Sequence, residues 1–118
     1  APGLAPQTLA AGECGLFLWT RDEPRQFIYF QQENRPSGLV YLSGRSSQIS
    51  TSDITAGLGD RQAFALDYTD PAGKAITISG QYGETIEGGR RISSAKIKSL
   101  DSENWQHIIP ANGVYACR

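Results

Sequence analysis

Methionine is missing from this chain, even at position 1. A nascent chain begins with Met, so the start at Ala1-Pro2-Gly3 reads as the processed end that a signal peptidase leaves. Histidine occurs once, at His107, and cysteine twice. The common metal sites need several His, Cys or carboxylate ligands converging on one point. With both cysteines oxidised too few ligands remain, so no metal and no cofactor is expected. No apolar run approaches the roughly 20 residues that cross a bilayer as a helix, so no membrane span is expected. Charge of one sign is missing as well: 11 basic residues face 12 acidic ones, and Arg90-Arg91 is the sole adjacent basic pair. Nucleic-acid binding and docking on anionic membranes both need a concentrated basic face. Dispersed charge disfavours both.

Chemical motifs are equally scarce. Gly44-Arg45-Ser46-Ser47-Gln48 lacks the second glycine of a nucleophile elbow. Gly57-Leu58-Gly59 lacks the third glycine and following helix of a dinucleotide fingerprint, and Gly73-Lys74 lacks the rest of a phosphate loop. Asn34, Asn104 and Asn112 do not begin a glycosylation sequon. The carboxylate pairs Asp67 with Asp70 and Glu84 with Glu87 lie in or beside turns, where charged residues are ordinarily solvated. His107 alternates with Trp105 and Ile109, so all three share one face of a strand. A histidine packed beside a tryptophan accounts for that placement without catalysis. The chain is expected not to be an enzyme.

What the sequence does have is β-structure. Apolar residues make up 39% of the 118 and charged residues 19%, which suits one folded domain. Residues 1–12, rich in Ala, Pro and Gly, read as a flexible lead-in left by signal-peptide cleavage, and residues 13–118 as a single domain. Glu13 to Thr20, Gln26 to Gln32 and Leu39 to Leu42 carry the branched and aromatic residues of strands. Arg45 to Asp53 is polar and reads as an exposed or edge strand. Gln62 to Thr69 alternates cleanly, with Phe64, Leu66 and Tyr68 on one face. It joins Ala75 to Ser79 through the turn Asp70-Pro71-Ala72-Gly73. Gly80 to Gly89 reads as turns and bulges. Arg91 to Leu100 is a strand with Ala95 and Ile97 inward and Lys96 and Lys98 outward. Ile92 is out of phase with that set, and a β-bulge near Ser93-Ser94 repairs the register. After a turn at 101–104 come Trp105 to Ile109, a turn at Pro110-Ala111-Asn112-Gly113, and Val114 to Cys117.

No apolar spacing supports a helix. Seven to nine strands at short intervals predict an all-β fold: a small antiparallel β-barrel, or alternatively a β-sandwich. Cys14 lies in the first strand and Cys117 in the last. A Cys14–Cys117 disulfide would place those strands side by side and close the sheet, which favours the barrel and an oxidising compartment, secreted or periplasmic. The first two strands are apolar on both faces and need cover on both. Either the N-terminal lead-in, with Leu4 and Leu9 touching the body, lies across the outer face, or a partner or ligand does. Most of the aromatics are expected in the core, and the candidate binding surface is an aromatic-rich sector of Trp19, Tyr29, Phe30, Trp105, His107 and Tyr115. The expected function is a binding domain that engages a protein partner or a small amphipathic ligand; an inhibitor of an extracellular hydrolase is one concrete form. The alternative is a structural accessory subunit of a cell-envelope complex, and a hydrolase with an unrecognised site ranks last.

Overall fold

A computed structural model describes residues 3–100 and 103–118. Eight strands follow one another as β1 (Cys14–Thr20), β2 (Phe27–Gln32), β3 (Ser37–Leu42), β4 (Arg45–Thr51), β5 (Ala63–Thr69), β6 (Ala75–Ile86), β7 (Gly89–Leu100) and β8 (Gln106–Cys117). Each pairs antiparallel with the next, and β8 returns to β1, so the sheet is a closed barrel rather than a sandwich. Closure removes the exposed edges that an open sheet of this size would carry. The β1–β8 ladder runs from Cys14 opposite Cys117 to Thr20 opposite Ala111. The Cys14–Cys117 disulfide locks the end of that ladder across 103 residues of chain.

The interior follows the period of two. Leu16 and Leu18 of β1, Phe64 and Leu66 of β5, and Ile76 and Ile78 of β6 point inward and are buried. β2 breaks that period, and a bulge explains how. Tyr29 pairs with Leu18 while Phe27 pairs with Trp19, which leaves Ile28 as the extra residue. Ile28 and Tyr29 therefore both join the interior, whereas Phe27 and Phe30 both face outward. Four consecutive apolar residues are thus shared between two faces. In β7 the expected bulge is present: the register with β8 shifts between Ile92 and Ala95, and Ile92, Ala95 and Ile97 all reach the core.

One expectation is corrected, the turn at Pro110–Gly113. The segment read as a lead-in lies across the outer face of β1 and β2, one of the two covers allowed for that face. Leu4 and Leu9 are buried there against Phe30, with Phe17, Phe27, Leu39 and Tyr41 around them. The Leu4 amide donates to the Phe27 carbonyl at 2.7 Å, and the Arg118 guanidinium donates to the Leu9 carbonyl at 3.0 Å. Gly80 to Gly89, read as turns and bulges, holds both: the β6–β7 register shifts between Gln81 and Tyr82 and again between Tyr82 and Thr85, and Glu87-Gly88 turns, while β6 itself runs on to Ile86. Pro110 to Gly113, read as a turn, is the middle of β8. Pro110 is tolerated because β1 stops opposite Ala111, so its missing N–H costs no bond on that side. Gly113 serves close approach rather than turning: a Cβ there would lie 1.8 Å from the Phe17 carbonyl oxygen. Of the turn expected at 101–104, Asp101 and Ser102 lie outside the described residues.

Candidate functional site

An up-and-down barrel has two ends, and here they differ. One end carries the disulfide, the β2–β3 and β6–β7 connections and the long β4–β5 connection. That connection folds over the end as a plug. Leu58, in the short 3-10 turn Leu58–Asp60, is fully buried in the core. The Glu33 carboxylate accepts from the Leu58 amide and from the Tyr115 hydroxyl, both at 2.9 Å. Arg90 donates to the Gly59 and Arg61 carbonyls at 3.1 and 2.5 Å. The same guanidinium lies 4.5 Å above the ring of Tyr82. The loop passes so close that a Cβ on Gly59 would meet the Tyr115 ring at 2.3 Å. Burial pushes the Tyr82 phenol up to about 12 although Arg90 and Arg61 oppose the shift; burial, then Glu33, raises Tyr115.

The other end is open. Here inward positions that a packed barrel fills with apolar side chains hold polar ones. Alternation carries the inward phase of β4 from Ile49 back to Ser47 and Arg45, and that of β7 from Ile97 on to Ser99. The same phase runs from Ile76 back to Lys74, and from Ile109 back to His107. Together these residues line a cavity of about 670 Å³. Its floor is apolar: Val40 and Ile76 are buried, and Leu42 and Ile109 are half-buried against the core. Beneath them Ile49, Ile78 and Ile97 leave no exposed surface, so the cavity is a cup and not a channel. The rim is cationic. Asp70 is, among the described residues, the acid that lines it, and its Oδ1 already accepts the Ala72 and Lys74 amides at 2.9 and 2.8 Å. Among the described residues neither Arg45 nor Lys74 takes part in a salt bridge.

The aromatic sector expected from the sequence is divided among three places. Tyr29 and Tyr115 are interior residues. Phe30 is outside but covered by Leu4 and Leu9, with its ring 5.0 Å from that of Phe17. Trp19 stays half-buried on the outer face and stacks on Phe27 at 5.2 Å. Trp105 is exposed at the β7–β8 turn, and His107 lines the open cup. Arg45, Ser47, Lys74 and Ser99 were not among the residues anticipated for a site. Their signal is a polar residue standing in the inward phase at a strand end. No group of three or more metal-ligating side chains occurs among the described residues. Comparison with protein families, with curated proteins and with solved structures finds no match.

Proposed function

We propose that this protein is a secreted or periplasmic binding barrel that holds one small amphipathic anion in its open end and carries out no chemistry on it. The observation that supports this most directly is the pairing of an apolar floor with an inward-facing cationic rim in the cup. Ligand sites are commonly cavities of roughly 300–1,000 Å³ with apolar walls and a few placed polar groups, and the cup, at about 670 Å³, fits that description. An acyl chain would rest on Val40, Leu42, Ile76 and Ile109, and its carboxylate would meet Arg45 and Lys74. The core below limits how deep a chain can go, so short and medium chains are favoured over long ones. The disulfide fits an oxidising compartment, and no helix is long and apolar enough to cross a membrane.

Titration calorimetry with decanoate, kept below its micelle concentration, tests the reading against decanol as the uncharged control. Decanoate should bind, and decanol should bind about tenfold more weakly, in line with the ~1.5–3 kcal/mol of a charge-assisted hydrogen bond. The double substitution Arg45→Ala, Lys74→Ala should erase the difference, and Ser99→Phe should fill the cup and weaken both. Equal affinity for the two probes in the unmodified protein, or binding unaffected by Ser99→Phe, would remove the cup from consideration.

A further inference from the structure

Four of the eleven basic residues, Arg25, Arg91, Lys96 and Lys98, lie on the outer surface around β7 and β8, away from the cup's interior. We propose that the outer face of β7 and β8 docks a short acidic segment of a protein partner. In β7 the outward phase carries Arg91, Lys96 and Lys98, while Ile92, Ala95 and Ile97 turn inward. Arg25 completes the set from the far side of β8, where its guanidinium donates to Asn112 Oδ1 and, at 3.3 Å, to the Thr20 carbonyl. Arg25 and Arg91 stand on either side of a groove of about 700 Å³ floored by Gly113 and Val114, and Trp19 forms one wall. Both guanidiniums are held in place, Arg25 by the bonds just given and Arg91 by Glu84 at 3.0 Å.

The surface also offers apolar contact. Trp19 and Val114, which line the groove, are half-buried. Aromatic and Arg side chains together are what protein interfaces enrich at their centres. Among the described residues the acids near this face, apart from Glu84 on Arg91, mark its limits. Glu84 and Glu87 lie at the plugged end, in and beside the β6–β7 turn; Asp22, Glu23 and Glu103 lie in the loops at the open end. A continuous polyanion such as a nucleic-acid strand would run onto these acids at both ends. An acidic peptide stretch with interspersed apolar side chains would be confined between them, which is how like charge outside a site sharpens register.

The proposal does not depend on the cup, and its test keeps the two apart. The isotope-labelled protein is titrated with a short peptide alternating Glu and Leu, with its Gln-for-Glu counterpart, and with a single-stranded oligonucleotide, at low and at moderate salt. The Glu peptide should shift the Trp19 indole, the Arg25 and Arg91 side chains and the β8 amides from 108 to 114. It should bind roughly tenfold more tightly than the Gln peptide and weaken as salt rises. The double substitution Arg91→Ala, Lys96→Ala, at exposed positions, should weaken it at least fivefold. Arg45→Ala with Lys74→Ala should leave it unchanged. Equal binding of the Glu and Gln peptides, shifts confined to the cup, or tighter binding of the oligonucleotide to the same residues would each overturn the proposal.

Discussion

Tyr68 of β5 shows how one hydroxyl can organise a barrel interior. Its Oη lies 2.6 Å from Gln31 Oε1, which can only accept, and 2.6 Å from Tyr29 Oη. A hydroxyl has one proton, so Tyr68 gives its proton to Gln31 and must receive one from Tyr29. The Gln31 amide then donates to the Gln32 and Arg35 carbonyls, both at 2.8 Å. The chain of bonds has a direction, and every member is buried or nearly so; Gln31 is fully buried although polar. This predicts an asymmetry between two similar substitutions. Tyr68→Phe strands both the Tyr29 proton and the Gln31 oxygen, at roughly 1–3 kcal/mol for each stranded group. Tyr29→Phe removes a donor but leaves Tyr68 still bonded to Gln31, which costs about 1 kcal/mol. Urea unfolding should therefore place Tyr68→Phe clearly below Tyr29→Phe in midpoint with similar slopes. The reverse order would mean that the proton runs the other way.

Among the elements, β1 and β8 decide the topology, because their ladder converts a row of hairpins into a ring. The disulfide restrains the unfolded chain over 103 residues. On the chain-entropy account a loop of about 100 residues is worth up to ~4–5 kcal/mol. Reduction, or Cys14→Ser with Cys117→Ser, should lower unfolding free energy by about that amount while the β-sheet circular dichroism at room temperature persists, since the ladder itself remains. A melting temperature indifferent to reduction would contradict this. These elements also show where the sequence could be read and where it could not. Strand type and closure were legible because the two cysteines sit in the first and last apolar runs. The bulge at Ser93-Ser94 was legible because Ile92 could reach the core in no other way. β8 was misread because Pro110 and Gly113 ordinarily mark turns, while their tolerance here depends on where β1 ends and how near it passes. That error also hid the single inward row that links His107 and Ile109 to Ala111 and Tyr115. The cup was illegible for a related reason. Ser47 and Ser99 look like ordinary solvent-facing residues until the register fixes which way their strands turn.

At the scale of the whole molecule the barrel is filled in the middle, plugged at one end and open at the other, and its polar interior groups are concentrated in tyrosines. Tyr29, Tyr68, Tyr82 and Tyr115 come from four different strands, and all have phenols raised above their ordinary value, first of all by burial. Tyr82, whose Oη is buried without a hydrogen-bond partner, is pushed up to about 12. In the unfolded chain the same phenols ionise near 10. Above about pH 10 the unfolded state therefore holds fewer protons than the folded state, and stability falls as pH rises. Below that value the contribution is present in full, and it is lost as pH climbs through the folded-state values. The urea midpoint should accordingly be insensitive to these groups up to about pH 9 and drop steeply from 10 to 12. Over that range the ring-carbon shifts of these four tyrosines should show phenolate only together with loss of the native amide spectrum. Removing Tyr29 and Tyr68 as phenylalanines should flatten the drop, though from a lower starting stability. If the four phenols instead titrate near 10 while the amide spectrum stays native, the interior they occupy is open to water, and the division between a sealed core and a single open cup fails with it.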